Sequence, residues 1–84
     1  MKRALFPGTF DPFTLGHLDI TERSLKLFDE IVIGIGVNAS KKHLFSLKDR
    51  IRFIEETFQG NRKVVVKSFE GLTMDFCKKI EAQF

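Results

Sequence analysis

The chain has no tryptophan and no tyrosine, a single cysteine, two prolines and two histidines in 84 residues. Each scarcity excludes something. One cysteine cannot close an internal disulfide or build a cysteine zinc site. Cys77 lies in an apolar helical pattern, so the expectation is a buried structural thiol in a reducing, cytoplasmic setting. Ten phenylalanines are the whole aromatic complement, which gives the core rings without a polar handle. No apolar run approaches the roughly 18 residues of a membrane span, and no signal peptide is visible. Neither sign of charge dominates: 14 basic residues face 11 acidic ones, a formal net charge of +3. No basic stripe interleaves with aromatics, so the balance suits an anionic small molecule at least as well as nucleic acid. There is no repeat, linker or low-complexity segment. There is also no G-x-x-x-x-G-K-[ST] loop, no convincing pair of catalytic carboxylates, and no cysteine or serine triad.

What is present is a globular composition, 43% hydrophobic and 30% charged. The length allows one small domain over residues 1–84, burying only about 60–65% of its unfolded surface. Lys2 to Phe6 carries the apolar run Ala4-Leu5-Phe6 and reads as a buried strand that Pro7 and Gly8 stop. Thr14 is placed to cap a helix running from about Leu15 to Phe28. Leu18, Thr21, Leu25 and Phe28 form its apolar face, widened by Ile20 and Leu27. Ile31 to Val37 is apolar and β-branched without alternation, as in a strand buried on both faces of a parallel sheet. A polar loop, Asn38 to His43, follows it.

Ser46 caps a second helix, with Asp49 as a capping-box variant; Leu47, Ile51, Ile54 and Phe58 form the stripe and Gly60 the C′ position. Arg62 to Ser68 holds a third strand at Val64-Val65-Val66. After Gly71, Leu72, Phe76, Ile80 and Phe84 recur every four residues, a helical pattern reaching the last residue. The order β-α-β-α-β-α predicts an α/β fold, a Rossmann-like open parallel sheet with helices packed on it. Its final helix runs out uncapped, as in a chain cut inside a larger domain. Ligands of such sheets bind beyond the carboxyl ends of the strands. Three loops lie at that edge: Pro7–Thr14, Asn38–Phe45 and Ser68–Thr73.

The stretch Phe6-Pro7-Gly8-Thr9-Phe10-Asp11-Pro12-Phe13-Thr14-Leu15-Gly16-His17 joins a strand end to a helix start. Free N–H groups and the helix dipole make such a place favourable for phosphate. His17 alone could be a base, a metal ligand, a phosphate donor or a surface residue. Next to Gly16, at a helix N-terminus, the phosphate reading gains. Thr9 fits a turn or a phosphate-orienting hydroxyl equally. Asp11 fits a turn with Pro12 better than a magnesium ligand. Lys41 and Lys42 are either a solvated pair or point charges at the ligand edge. Gly34-Ile35-Gly36-Val37-Asn38-Ala39 matches the dinucleotide pattern only superficially, since its glycines lie inside a strand; close approach of a helix or ligand explains them better.

Pro7-Gly8-Thr9-Phe10-Asp11-Pro12 followed by Thr14-Leu15-Gly16-His17 and Asp19-Ile20 closely resembles the start of the bacterial phosphopantetheine adenylyltransferase family, among the nucleotidylyltransferases with an [HT]-x-G-H signature. Ser40-Lys41-Lys42, Phe45-Ser46-Leu47 and Phe69-Glu70-Gly71-Leu72-Thr73 resemble the family's next two ligand loops. The resemblance covers the N-terminal half of the family's chain, without its Arg-Gly-Leu-Arg motif and its Ser/Thr-rich loop. It implies adenylyl transfer from ATP to 4′-phosphopantetheine, giving dephospho-coenzyme A and pyrophosphate by direct in-line attack. It implies Thr9, Phe10 and His17 for ATP, and His17 for the transition state. It implies Thr9, Lys41, Leu72 and Thr73 for the acceptor, with magnesium arriving with ATP and no protein metal ligand. The family forms homohexamers; neither nucleic acid nor membrane is an expected partner. The alternatives are another adenylyl- or cytidylyltransferase of the superfamily, or an inactive phosphate-binding half-domain.

Overall fold

A computed structural model of the chain describes residues 1–37 and 42–84. The elements are β1 (Arg3–Gly8), α1 (Leu15–Ser24), β2 (Glu30–Gly36), α2 (Leu47–Thr57), β3 (Val64–Phe69) and α3 (Thr73–Lys79). The strands form one parallel sheet in the order β1-β2-β3. This is the Rossmann-like α/β arrangement that the alternation of elements predicts.

The central strand β2 sets the layers. Ile31, Ile33 and Ile35, each at most 1% exposed, point to one face and meet Ile54 of α2 and Phe10. Leu25 and Phe28 pack against the same cluster, as do Leu47, Ile51 and Phe58. The opposite face of β2 carries Gly34, where α3 packs instead. A Cβ at Gly34 would lie 2.9 Å from Leu5, 3.1 Å from Phe76 and 3.2 Å from Phe69. The Phe69 and Phe76 rings stack at 4.5 Å over this strip. Close approach of a helix therefore accounts for the glycine at position 34.

Several boundaries differ from the sequence expectation. Pro7 and Gly8 do not stop β1; they pair with Gly34 and Ile35. Arg3 and Leu5 turn their N–H groups to the outer side of β1, toward Gln83 and Phe84. Pro7 stands two residues on, so its missing N–H falls on that outer side, away from β2. Helix α1 ends at Ser24 rather than Phe28. The Ser24 hydroxyl bonds back to the Ile20 carbonyl, and Leu27 and Phe28 both donate to the Ser24 carbonyl, closing the helix in a tight turn. Ile20 and Leu27 do not widen the buried face; they are 52% and 67% exposed. The C-cap of α2 is Phe58, so Gly60, at φ +84°, stands one residue beyond C′.

The last helix is the largest difference. It stops at Lys79, and Glu81 turns the chain at φ 59°. Gln83 then donates to the Arg3 carbonyl and Leu5 to the Phe84 carbonyl, both at 3.0 Å. Backbone pairing along β1 replaces the last turns of helix. Cys77 is half-buried rather than buried, its thiol 3.5 Å from the Ala82 carbonyl. Among the described residues no helix is long and apolar enough to cross a membrane.

The two strand glycines should respond differently to alanine. Gly34→Ala forces a methyl against three side chains and should cost about 1–3 kcal/mol. At Gly36 the first contact is an ordinary 3.6 Å from Phe69, and Gly36→Ala should cost far less. Denaturant midpoints of the two variants check this; equal losses would refute the packing account.

Candidate active site

From β1 the sheet grows through β2 to β3, whereas the segment after α3 returns to the other side of β1. The order of the sheet thus reverses at β1, and the crevice at its carboxyl end is where such folds admit ligands. An open cavity of about 630 Å³ lies there. Gly8 and Thr9 wall it after β1, Gly36 and Val37 after β2, and Phe69, Gly71 and Thr73 after β3; His43 joins them.

The loop after β1 is shaped by Phe10. Its φ of 51° is left-handed, a costly conformation for an aromatic residue. The turn drives the ring into the core, 3% exposed and edge-on to Phe6 at 5.1 Å, beneath Gly8. Thr9 is left at the cavity wall. Arg50 of α2 holds it there: Nη1 donates to the Thr9 carbonyl at 3.0 Å and Nε to the Ser46 carbonyl at 3.4 Å. Arg50 is only 3% exposed.

Asp11 fastens the next loop. Its Oδ2 accepts from the Leu44 N–H at 2.6 Å and its Oδ1 from the Phe45 N–H at 2.8 Å. His43 Nδ1 lies 3.5 Å from Oδ2. The carboxylate ties two loops more than thirty residues apart, a role beyond the local turn expected of it. Partial burial raises its pKa. The Leu44 and Phe45 N–H groups, with the charges of Arg50 and His43, outweigh that and hold it below the ordinary aspartate value.

At the start of α1, Thr14 and His17 form a reciprocal capping box. The Thr14 hydroxyl accepts from the His17 N–H, and the Thr14 N–H donates to His17 Nδ1 at 2.9 Å. A nitrogen that accepts a backbone N–H carries no proton of its own, so the neutral ring bears its hydrogen on Nε2. Phe6, Phe10 and Phe13 surround the imidazole, with Phe10 edge-on at 4.9 Å. Gly16 has open space: a Cβ there would meet only the Thr14 hydroxyl, at 3.6 Å.

Of the residues singled out by sequence, Thr9 and Thr73 share the cavity wall. Phe10 gives its ring to the core and leaves its backbone in the adjoining loop. His17 stands off the wall, in the first turn of α1. Leu72 is the N-cap of α3, 71% exposed and also off the wall. Lys41 lies outside the described residues; Lys42 is exposed. The sequence reading passed over Arg50, His43 and the bridging role of Asp11. For Arg50 a signal existed: it falls between Leu47 and Ile54 at helical spacing, on the buried stripe. Among the described residues, no three His, Cys, Asp or Glu side chains group as a metal site.

The profile of the cytidylyltransferase-like family matches residues 5–84. The chain belongs to that family. All 84 residues align at 63% identity with a protein named phosphopantetheine adenylyltransferase from Flavobacterium psychrophilum, and cover 56% of it. A protein of the same name from Flavobacterium johnsoniae is 62% identical, with 55% of it covered. The chain thus spans about half the length of the curated relatives it matches, and the resemblance carried by the first loop is borne out. The fold also matches a bifunctional NMN adenylyltransferase/ADP ribose pyrophosphatase from Francisella tularensis, complexed with AMP and a manganese ion. That match has a TM-score of 0.71 at 26% identity, over 92% of this chain and 25% of the other.

Asp11→Asn should loosen the cavity edge, because an amide offers one acceptor oxygen to two N–H donors. Hydrogen exchange at Leu44 and Phe45 should accelerate by roughly tenfold, the scale of a lost charge-assisted bond. A carboxylate with a lowered pKa stabilises fully above its unfolded pKa, near 4, and loses that contribution as pH falls through the folded value. The same two amides should therefore lose protection in the native protein below about pH 4. Unchanged exchange in both experiments would refute the clamp.

Proposed function

We propose that this chain carries the nucleotide- and phosphate-handling part of an adenylyltransferase joining ATP to 4′-phosphopantetheine. The observation that carries the reading is the coincidence of two things. The Thr-x-Gly-His turn and the cavity lie at the reversal of one sheet edge, and the whole chain is similar to proteins named for this reaction. A phosphate oxygen of phosphopantetheine attacks the α-phosphorus of ATP. The bond from that phosphorus to the α,β-bridging oxygen breaks, and pyrophosphate leaves. No covalent enzyme intermediate forms, so the work is positioning and stabilisation of developing charge.

In this reading Thr9 orients the reacting phosphates, and the backbone at Phe10 meets those of ATP. The N–H groups of Leu15 and Gly16, unpartnered among the described residues, add donors at the helix start. His17, with its proton on Nε2, donates to the α-phosphate as charge builds. Lys41 holds the acceptor phosphate, and Leu72 and Thr73 flank its pantetheine arm. Magnesium arrives on the ATP phosphates. In this reading Asp11 is not its ligand; its two oxygens serve the Leu44 and Phe45 N–H groups. The setting is cytoplasmic, and the family's homohexamer is the assembly to test for. A second reading, a phosphate-binding half-domain without turnover, is favoured by one observation: His17 stands off the cavity wall that Thr9 and Thr73 share.

Pyrophosphate release from ATP and magnesium, with phosphopantetheine but not nicotinamide mononucleotide as acceptor, is the result expected of the first reading. Binding of ATP without turnover supports the second. Under the first, His17→Ala should lower the rate about 100- to 1000-fold, with little change in phosphopantetheine affinity. Equal losses in rate and affinity would make His17 a ground-state binder.

Gly16→Ala separates folding from binding. A glycine inside a helix with room for a methyl should gain about 0.5–1 kcal/mol of stability on conversion to alanine. ATP affinity should fall in the same variant. If affinity is unchanged, nothing approaches the helix at Gly16.

A further inference from the structure

The described part of the cavity wall is chemically plain, apart from one residue. Strand ends and the start of α3 supply glycine, valine, proline, phenylalanine and two threonines, none of them ionisable near neutral pH. Among the described residues, His43 is the sole titratable group on the wall. Its side chain is 18% exposed and that of Asp11 is 11% exposed. Asp11 faces Nδ1 at 3.5 Å, and among the described residues Nε2 has no partner. The charge of Asp11 is itself answered, by the Leu44 and Phe45 N–H groups and by Arg50 behind it. Lys42, the neighbour in sequence, is exposed. His43 thus has a satisfied carboxylate beside one nitrogen and lines a cavity whose other described residues carry no charge.

We propose that His43 is a substrate-contacting residue: with Asp11 beside its Nδ1, it donates its Nε2 proton to a phosphate oxygen in the cavity. This rests on the reading of the cavity as a phosphate site and assigns to it a cation that the family signature does not contain. A carboxylate beside Nδ1 leaves Nε2 as the nitrogen free to meet a ligand, the division of roles seen in histidines that bind metals or transfer protons. A bound phosphate favours the imidazolium, which then bonds an anion at each nitrogen. The affinity contributed this way is present at low pH and fades as pH rises through the titration of the bound ring.

The chain has two histidines, so an ¹⁵N-labelled sample gives two imidazoles, assigned through His17→Gln and His43→Gln. Inorganic pyrophosphate and inorganic phosphate are titrated separately. The expected result is a saturable shift of the His43 ring and a rise of its titration midpoint by about half a unit or more. His43→Phe should weaken anion binding about three- to tenfold near pH 6 and hardly at all near pH 8. Preference for pyrophosphate assigns the contact to the nucleotide; preference for phosphate assigns it to the acceptor; either supports the proposal. Shifts at the Thr9 and Thr73 amides with a silent His43 ring would overturn it and leave the phosphate site standing. An equal loss at both pH values would reduce His43 to a structural part. No shift anywhere with either anion would overturn this proposal and the phosphate reading together.

Discussion

The middle strand of the sheet has to be covered on both faces, and its two faces ask for different partners. On one, three isoleucines each bury a side chain worth about 1.5–3 kcal/mol, and two helices and the Phe10 ring are gathered over them. On the other, Gly34 leaves a shallow strip that the stacked rings of Phe69 and Phe76 fill. Because β2 is covered this way, its neighbours are held in parallel register along their whole length. Parallel register brings all three carboxyl ends to one edge. The cavity is a consequence of that alignment rather than of any single loop.

Alignment delivers the loops to one place but does not hold them together. Loop backbone beyond the last ladder bond needs partners of its own. Here two polar side chains supply them. Arg50 reaches from inside α2 to the Thr9 carbonyl, and Asp11 reaches from the first loop to two N–H groups of the second. The charge of Arg50 helps hold the Asp11 carboxylate ionised, and the attraction offsets part of the cost of burying a guanidinium. Order in α2 is thereby passed to the cavity wall.

Legibility in the sequence follows the range of the interactions. The run from Ile31 to Val37 announced a strand buried on both faces, because burial is written in composition. The Thr14 cap was legible because its partner lies three residues away. The first loop carried the family, since its glycine, prolines and Thr-x-Gly-His spacing are all local. Expectation and structure part most where the partner is distant in sequence. Pro7 was read as a stop because the side of β1 its nitrogen faces depends on the rest of the sheet. The periodicity from Leu72 to Phe84 predicts helix up to Phe84, whereas Gln83 and Phe84 pair with the backbone on the outer side of β1. Asp11 was read locally because its partners, Leu44 and Phe45, lie on another loop. Only Arg50 left a trace, as a charge sitting on an apolar stripe.

The Thr-x-Gly-His turn joins folding and chemistry in the same atoms. Thr14 and His17 are tied into the cap, so the bonds that start α1 also fix the imidazole and its tautomer. Three phenylalanine rings then remove its remaining freedom. In the proposed reaction, where His17 acts on charge that exists only fleetingly, such rigidity is a gain, because nothing has to be reorganised when the charge forms. Gly16 is the exception that separates the two roles. Neither the cap nor a left-handed φ requires it, the space around it is open, and a glycine there weakens the helix. A residue that the fold would do better without calls for a reason outside the fold, and the proposed function supplies one: a ligand whose approach to the backbone a methyl group would block.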